Sequence, residues 1–236
     1  YQYVPDATYA YNDAEVFREY LSDTLGFKKQ KIKIATNSKA TQAELNKLLG
    51  SNGWLSRNAI KGKSDIVVYF SGHGIANQKD KSTGILPFDV DPNYSVGLSL
   101  KKLYKDLKAI GAKSVIVYLD ACFTGQTRDA KMLIADARPI IILPKEQDIP
   151  DNVNVLSAAT GSQISGAIRE KEHGLFTYYV LKGLSGDADT NKDKVVKLNE
   201  LSDYVSKNVK EQAAINGREQ TPELQGDKDR VLVQFK

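Results

Sequence analysis

Two strongly hydrophobic stretches of this chain end in the same way, each at a reactive side chain followed by glycine. Residues 67–74 read V-V-Y-F-S-G-H-G, and residues 115–125 read V-I-V-Y-L-D-A-C-F-T-G. Apolar runs rich in β-branched residues are typical of strands that are buried on both faces of a parallel sheet. Because ligands bind outside the carboxyl ends of such strands, the pattern predicts a site where these two strands end.

The rest of the chain alternates predicted helices with predicted strands. Helices are predicted from Asn12 or Asp13 to Gly26, from Thr41, from Ser99 to Gly111, and over 175–184 and 198–213. Strands are predicted over 65–71, 114–120, 140–143, 153–158 and 231–235, with a half-exposed strand at Ile32 and Ile34 and a loop or small hairpin over 75–98. This alternation predicts an α/β fold with a mostly parallel sheet and helices on both faces.

Length and composition bound the class of protein. The 236 residues are 41% apolar and 26% charged, which predicts one sizeable globular domain or at most two small ones. Of these, we expect a single domain over 1–236. The net charge of +4 comes from scattered lysines, so no nucleic-acid partner is expected. No apolar run approaches the roughly 20 residues of a membrane helix, so no membrane partner is expected either. Localisation is unknown, with the cytoplasm as the default, and the oligomeric state is not predicted. Since the chain opens at Tyr1 without methionine, we expect a fragment or a processed product.

The reactive side chains are a cysteine and a histidine. Cys122 is the chain's one cysteine, which excludes an internal disulfide, and His73 and His173 are its histidines. A thiol beside an imidazole is a nucleophile with its base, and the backbone N–H groups of Gly74 and Cys122 could stabilise an oxyanion. Alternatively, Cys122 is a buried, inert residue and His73 an ordinary loop residue. We interpret His173, which precedes a glycine, as structural or solvent-exposed.

These motifs resemble those of the caspase-like peptidases, in particular their metacaspase-type and prokaryotic relatives. The resemblance rests on S-G-H-G and D-A-C-F-T-G, supported by N-D-A at 12–14, S-A-A at 157–159, H-G-L-F-T at 173–177 and Q-T-P at 220–222. It implies a caspase-like three-layer αβα sandwich, with His73 as general base and Cys122 as nucleophile for peptide-bond cleavage. It also implies one further strand, before Tyr1, that this chain lacks.

The resemblance also implies the substrate. Metacaspases cleave polypeptides after arginine or lysine, and the matching pocket residues here are Asp13, Ser71 and Asp120. Two carboxylates can bind a guanidinium through charge-assisted hydrogen bonds. Alternatively, Asp13 is a helix N-cap and Asp120 a strand-end turn residue. Arg128 and Lys131 lie soon after Cys122, which raises the hypothesis of self-cleavage within 126–131.

No cofactor is required, although calcium is a possible one. An EF-hand spacing places oxygen ligands at Asp189, Asn191, Asp193, Val195 (carbonyl) and Glu200. Lys194 stands where glycine normally makes the sharp turn, and a left-handed lysine costs roughly 1–2 kcal/mol. The alternative is an acidic loop that has lost its metal. The resemblance suggests a second acidic cluster at Asp89, Asp91 and Asp129.

Two other functions remain open at the level of sequence. The chain could be a non-catalytic caspase-like interaction domain, although retention of both His73 and Cys122 argues against it. It could also be a cysteine hydrolase acting on substrates other than peptides. An acidic pocket favours a basic side chain and therefore a peptide.

Overall fold

The structure is a computed structural model that describes residues 1–77, 80, 82–123, 149–160 and 163–235. The predicted strand over 140–143 and the segment 126–131 lie outside the described residues. The helices are α1 (Ala10–Asp23), α2 (Gln42–Leu49), α3 (Trp54–Asn58), α4 (Leu100–Ile110), α5 (Leu175–Lys182) and α6 (Leu198–Ile215). The strands are β1 (Asp65–Ser71), β2 (Gly74–Ala76), β3 (Thr83–Ile85), β4 (Leu98–Ser99), β5 (Ser114–Asp120), β6 (Val153–Ser157), β7 (Ala167–Ile168), β8 (His173–Gly174), β9 (Val195–Lys197), β10 (Glu223–Gln225) and β11 (Val231–Gln234).

The central sheet has the strand order β1-β5-β6-β10 in the described part of the chain. β1, β5 and β6 are parallel, and β10 runs antiparallel to β6. The mostly parallel sheet predicted from the sequence is therefore confirmed. The β1–β5 register pairs Asp65 with Ser114 and Ser71 with Asp120, so both strands end at the same level.

Helices cover both faces of this sheet. Val115, Val117 and Leu119 of β5 pack in one apolar cluster with residues of α2 and α4. Ile116 and Tyr118 point to the opposite face and pack in a second cluster with residues of α1, α5 and α6. Alternating residues of one strand thus enter two cores, which gives the three-layer α/β arrangement expected from the sequence.

Local sequence signals fix several helix ends. The hydroxyls of Thr41 and Ser99 accept the backbone N–H groups of Glu44 and Lys102, and Gly111 ends α4 in the left-handed conformation. The predicted start of α1 is wrong. α1 begins at Ala10, so Asp13 lies inside its first turn and is not the N-cap.

Two predicted strands differ in the structure. The segment with Ile32 and Ile34 follows a 3₁₀ turn, Lys29–Lys31, and is not a strand. Alternation alone does not make a strand, because a strand also needs a hydrogen-bonding neighbour. β11 forms as predicted but pairs with β9 in a separate ribbon, while the unpredicted β10 completes the central sheet.

A groove of about 580 Å³ runs along β1 on the side away from β5. Its lining includes Phe17, Ile32, Ile34, Val67 and Tyr69. The further strand implied by the family resemblance stays a prediction. In the described residues, none of the helices is long and apolar enough to cross a membrane.

Candidate active site

The structure brings the ends of β1 and β5 together, as the sequence predicts. Ser71 and Asp120 are register partners on these neighbouring parallel strands. The backbone N–H of Gly72 donates to the carbonyl oxygen of Asp120 at 3.2 Å, which extends the pairing past the last strand residue. The two motifs therefore leave the sheet side by side.

Close backbone contact continues beyond the strands. A Cβ added to Gly74 would lie 2.7 Å from the carbonyl oxygen of Cys122 and 2.6 Å from the ring of Phe123. Only glycine allows this approach without movement of the neighbouring backbone. His73 and Cys122 are both buried, at 1% and 4% exposure. The segment with the histidine therefore lies directly against the segment with the cysteine.

A backbone carbonyl orients the imidazole of His73. Its Nε2 lies 2.7 Å from the carbonyl oxygen of Pro5, which can only accept. In the neutral ring the Nε2 atom must therefore carry the proton, which makes Nδ1 the basic nitrogen. The ring of Tyr1 packs on the imidazole at a centroid distance of 4.7 Å, and its hydroxyl accepts the His73 backbone N–H at 3.0 Å.

The backbone N–H of Gly74 does not donate to the neighbouring strand, β3. Leu86 N donates to His73 O at 2.9 Å, so Gly74 and Ile85 form a non-hydrogen-bonded pair of the β2–β3 ladder. In such a pair the Gly74 N–H points away from β3. This orientation makes it suitable as an oxyanion donor.

The carboxylate of Asp120 is fully buried and held by several donors. One oxygen accepts the hydroxyl of Ser165 at 2.6 Å. The other accepts the hydroxyl of Thr177 at 2.6 Å and the Thr177 backbone N–H at 3.2 Å. Because three hydrogen bonds converge on this side chain, Asp120 is a structured part of the site rather than a simple turn residue.

The carboxylate of Asp13 is also fully buried and lies beside the end of β1. Its Oδ2 accepts the hydroxyl of Ser71 at 2.8 Å. Its Oδ1 accepts the backbone N–H of Gly174 at 3.0 Å and lies 3.0 Å from Nδ1 of His173. Ser71 therefore links Asp13 to the strand pair that carries Asp120.

Both carboxylates meet the N-terminus of α5. Gly174 is the N-cap of this helix and Thr177 lies in its first turn, and their backbone N–H groups donate to Asp13 and Asp120 respectively. The N-terminus of a helix carries partial positive charge and free N–H donors, so it stabilises negative charge. This placement explains how two carboxylates can share one buried region.

The predicted calcium-binding loop, residues 189–200, does not form an assembled metal site. In the described residues, no group of three or more His, Cys, Asp or Glu side chains is placed to hold a metal ion. Asp189 and Asp193 accept N–H groups of their own loop, and Glu200 accepts the backbone N–H of Lys197. Lys194 has the left-handed φ of 65° expected from the spacing. Calcium binding here stays a prediction.

The second predicted calcium cluster lies partly outside the described residues. Asp129 is not described, while Asp89 accepts the backbone N–H of Gln42 and Asp91 that of Asn93. Both described carboxylates thus accept backbone N–H groups. This cluster also stays a prediction.

Sequence reasoning missed several groups of the site. The contact of the Pro5 carbonyl with His73 could not be found from the sequence, because a backbone carbonyl has no side-chain signature. Sequence reasoning also set His173 aside, although H-G-L-F-T contains both His173 and Thr177. Gln220 of the Q-T-P motif donates to Ser165 at 3.4 Å and accepts the Gly166 N–H at 2.8 Å. His173, Thr177 and Gln220 therefore lie in motifs already quoted from the sequence, although their contacts could not be predicted from it. Pro5 lies outside these motifs.

Comparisons with known proteins identify the family and the fold. The chain matches the model of the caspase domain family over residues 1–232, and it therefore belongs to this family of cysteine peptidases. The crystal structure of caspase-1 from Spodoptera frugiperda is similar in fold, with a TM-score of 0.52 at 14% identity. That match covers 95% of this chain and 81% of the caspase-1 chain. No curated protein matches the sequence. The predicted family and fold are thus confirmed.

Proposed function

We propose that this protein is a cysteine endopeptidase that cleaves polypeptides after arginine or lysine through Cys122 and His73. Membership of the caspase domain family supports a peptidase acting on polypeptides. The specificity rests on one observation: the buried carboxylates of Asp13 and Asp120 flank Ser71 where β1 and β5 end. A substrate guanidinium or ammonium group is the complement of such a pair.

The proposed reaction begins with transfer of the Cys122 thiol proton to Nδ1 of His73. The Sγ thiolate then attacks the scissile carbonyl carbon, and the N–H groups of Gly74 and Cys122 hold the resulting oxyanion. His73 returns the proton to the leaving amine as the C–N bond breaks, which leaves a thioester on Cys122. Water, deprotonated by His73, hydrolyses this thioester and releases the carboxylic acid and the thiol.

The Pro5 carbonyl supports this cycle by fixing the tautomer of His73. In the neutral ring, Nε2–H donates to Pro5 O. The same hydrogen bond stabilises the imidazolium that forms after proton transfer. Pro5 thus acts as the orienting group that a histidine base requires. A backbone oxygen can fill this role because only a fixed acceptor is needed.

A peptide panel tests the proposed activity. Fluorogenic peptides with Arg, Lys or Asp before the reporter are incubated with the wild type, Cys122→Ala and His73→Ala. We expect turnover of the Arg and Lys peptides only, and a loss of at least about 1000-fold in both variants, since each removes a reacting group. Equal turnover by Cys122→Ala would exclude this mechanism, and preferred cleavage after Asp would exclude the specificity.

Self-processing and calcium modulation are further parts of the proposal. Mass spectrometry of the incubated wild type, beside Cys122→Ala, tests cleavage after Arg128 or Lys131. An intact wild-type chain that still turns over peptides would contradict self-processing.

Titration calorimetry with calcium on the wild type and Asp189→Ala tests calcium binding. If the loop binds calcium, we expect a heat of binding in the wild type that is lost in Asp189→Ala. No heat in the wild type would exclude calcium binding.

A further inference from the structure

A histidine outside the catalytic pair contacts one of the pocket carboxylates. His173 Nδ1 lies 3.0 Å from Oδ1 of Asp13, and this oxygen also accepts the Gly174 N–H. The Asp13 side chain is fully buried, whereas that of His173 is 20% exposed. The imidazole therefore connects a buried carboxylate to solvent, from which it can take up a proton.

The backbone that carries His173 is held on both sides. β8 pairs His173 with Ile168 of β7. On the other side, the Asn12 side chain of α1 donates to the carbonyl of Glu172 at 3.2 Å, one residue before the histidine. Glu172 has a left-handed φ of 55°, so the chain turns sharply into β8. This framework aims the imidazole at Asp13 without help from a substrate.

We propose that His173 is a positioning residue of the substrate pocket, whose hydrogen bond to Asp13 aims this carboxylate and whose protonation weakens the binding of a basic side chain. This inference deepens the proposed function and rests on it. A neutral imidazole donates from Nδ1 and adds no positive charge beside Asp13. An imidazolium places a positive charge beside the same carboxylate and competes with the substrate cation.

Charged groups on the elements next to His173 could also influence its protonation. Asp13 faces it from α1, β7 contributes the uncharged Ala167 and Ile168, and α5 begins with uncharged residues up to Lys182. The preceding turn carries exposed charges on Arg169, Glu170, Lys171 and Glu172. These turn residues are close to His173 in the sequence and could influence its protonation, and Glu172 therefore provides a control.

The test is the pH dependence of kcat/KM for an arginyl peptide. We compare the wild type with His173→Asn, whose amide can donate from near the Nδ1 position but does not titrate, with His173→Ala and with Glu172→Gln. In the wild type, we expect kcat/KM for the arginyl peptide to fall as the pH is lowered. In His173→Asn we expect activity within about threefold of wild type at neutral pH and a KM roughly tenfold lower at the acid end.

The other variants separate positioning from structure. His173→Ala loses the hydrogen bond, so KM should rise roughly tenfold at all pH values with a smaller change in kcat. Glu172→Gln should keep the wild-type profile. The rate of Cys122 alkylation by iodoacetamide, a small reagent without a basic group, reports the Cys122–His73 pair alone. Its pH profile should be the same in wild type and His173→Asn.

The outcomes distinguish this inference from the proposed function. If the wild type cleaves neither arginyl nor lysyl peptides at any pH, the basic specificity fails and this inference fails with it. If the wild type cleaves them and His173→Asn shows the same acid decline, the proposed function stands and the role of His173 is refuted. A shifted alkylation profile in His173→Asn would also overturn it, because His173 would then act on the catalytic pair.

Discussion

The absence of a Cβ atom at Gly74 constrains the geometry of this site. Its missing Cβ allows the backbone after His73 to lie against the carbonyl of Cys122, and its N–H is directed away from the neighbouring strand. Both properties depend on the backbone rather than on a side chain. Gly74 therefore constrains the geometry of the site and is also the oxyanion donor that we propose.

A minimal substitution at Gly74 should uncouple the two motifs. In Gly74→Ala, the added Cβ would meet the Cys122 carbonyl oxygen at 2.7 Å, so one segment must shift. We expect kcat on an arginyl peptide to fall about 100-fold, because small displacements of reacting groups are costly. Gly62→Ala is the control, since a Cβ there meets nothing within 4 Å although its φ of 67° adds strain. Similar kcat values for Gly74→Ala and wild type would contradict the account.

At the scale of elements, one hydroxyl joins three parts of the fold. Thr177 of α5 donates to Asp120 of β5 at 2.6 Å and lies 2.7 Å from the hydroxyl of Tyr69 on β1. Since its single proton goes to Asp120, Tyr69 must donate to Thr177. The helix is thereby tied to both strands that carry the site.

Removal of this hydroxyl should lower stability. Thr177→Val keeps the shape of the side chain but leaves Tyr69 without this acceptor and Asp120 with one donor fewer. We expect the free energy of unfolding in urea to fall by about 1–3 kcal/mol. Thr177→Ser retains the hydroxyl and should lose less than Thr177→Val. Equal losses in the two variants would show that packing, rather than hydrogen bonding, holds α5 here.

Elements with strong local signals could be predicted from the sequence. Continuous apolar runs predicted β1 and β5, and Ser99 with Gly111 predicted both ends of α4. The prediction at Ile32 failed because strand formation depends on a partner, which local alternation does not encode. β10 is only three residues long and was missed for the same reason. Its stability comes from pairing with β6.

At the scale of the whole molecule, the site draws on distant parts of the chain. Its groups range from the carbonyl of Pro5 through Cys122 to Gln220, and they converge only when the sheet and α5 are assembled. Matching motifs to a family could indicate the nucleophile, the base and the pocket carboxylates. It could not indicate the Pro5 carbonyl or the His173 contact, which arise from tertiary packing.

This dispersal predicts a single cooperative transition. Peptidase activity, far-UV circular dichroism and Tyr fluorescence should be lost at the same urea concentration, as in two-state unfolding of one domain. The sequence-based prediction of a single domain over 1–236 is tested by the same data. Activity lost well before the circular dichroism signal would indicate a site that melts independently, and would contradict this prediction.

The most direct test of the central claim is covalent labelling with peptidyl chloromethyl ketones that end in arginine or aspartate. Cys122 is the only cysteine, so the labelled residue can be assigned by mass spectrometry and by comparison with Cys122→Ala. We predict one label on Cys122, at least about 100-fold faster with the arginyl than with the aspartyl reagent, because two carboxylates line the proposed pocket. Equal rates, a faster aspartyl reagent or a label on another residue would contradict the account.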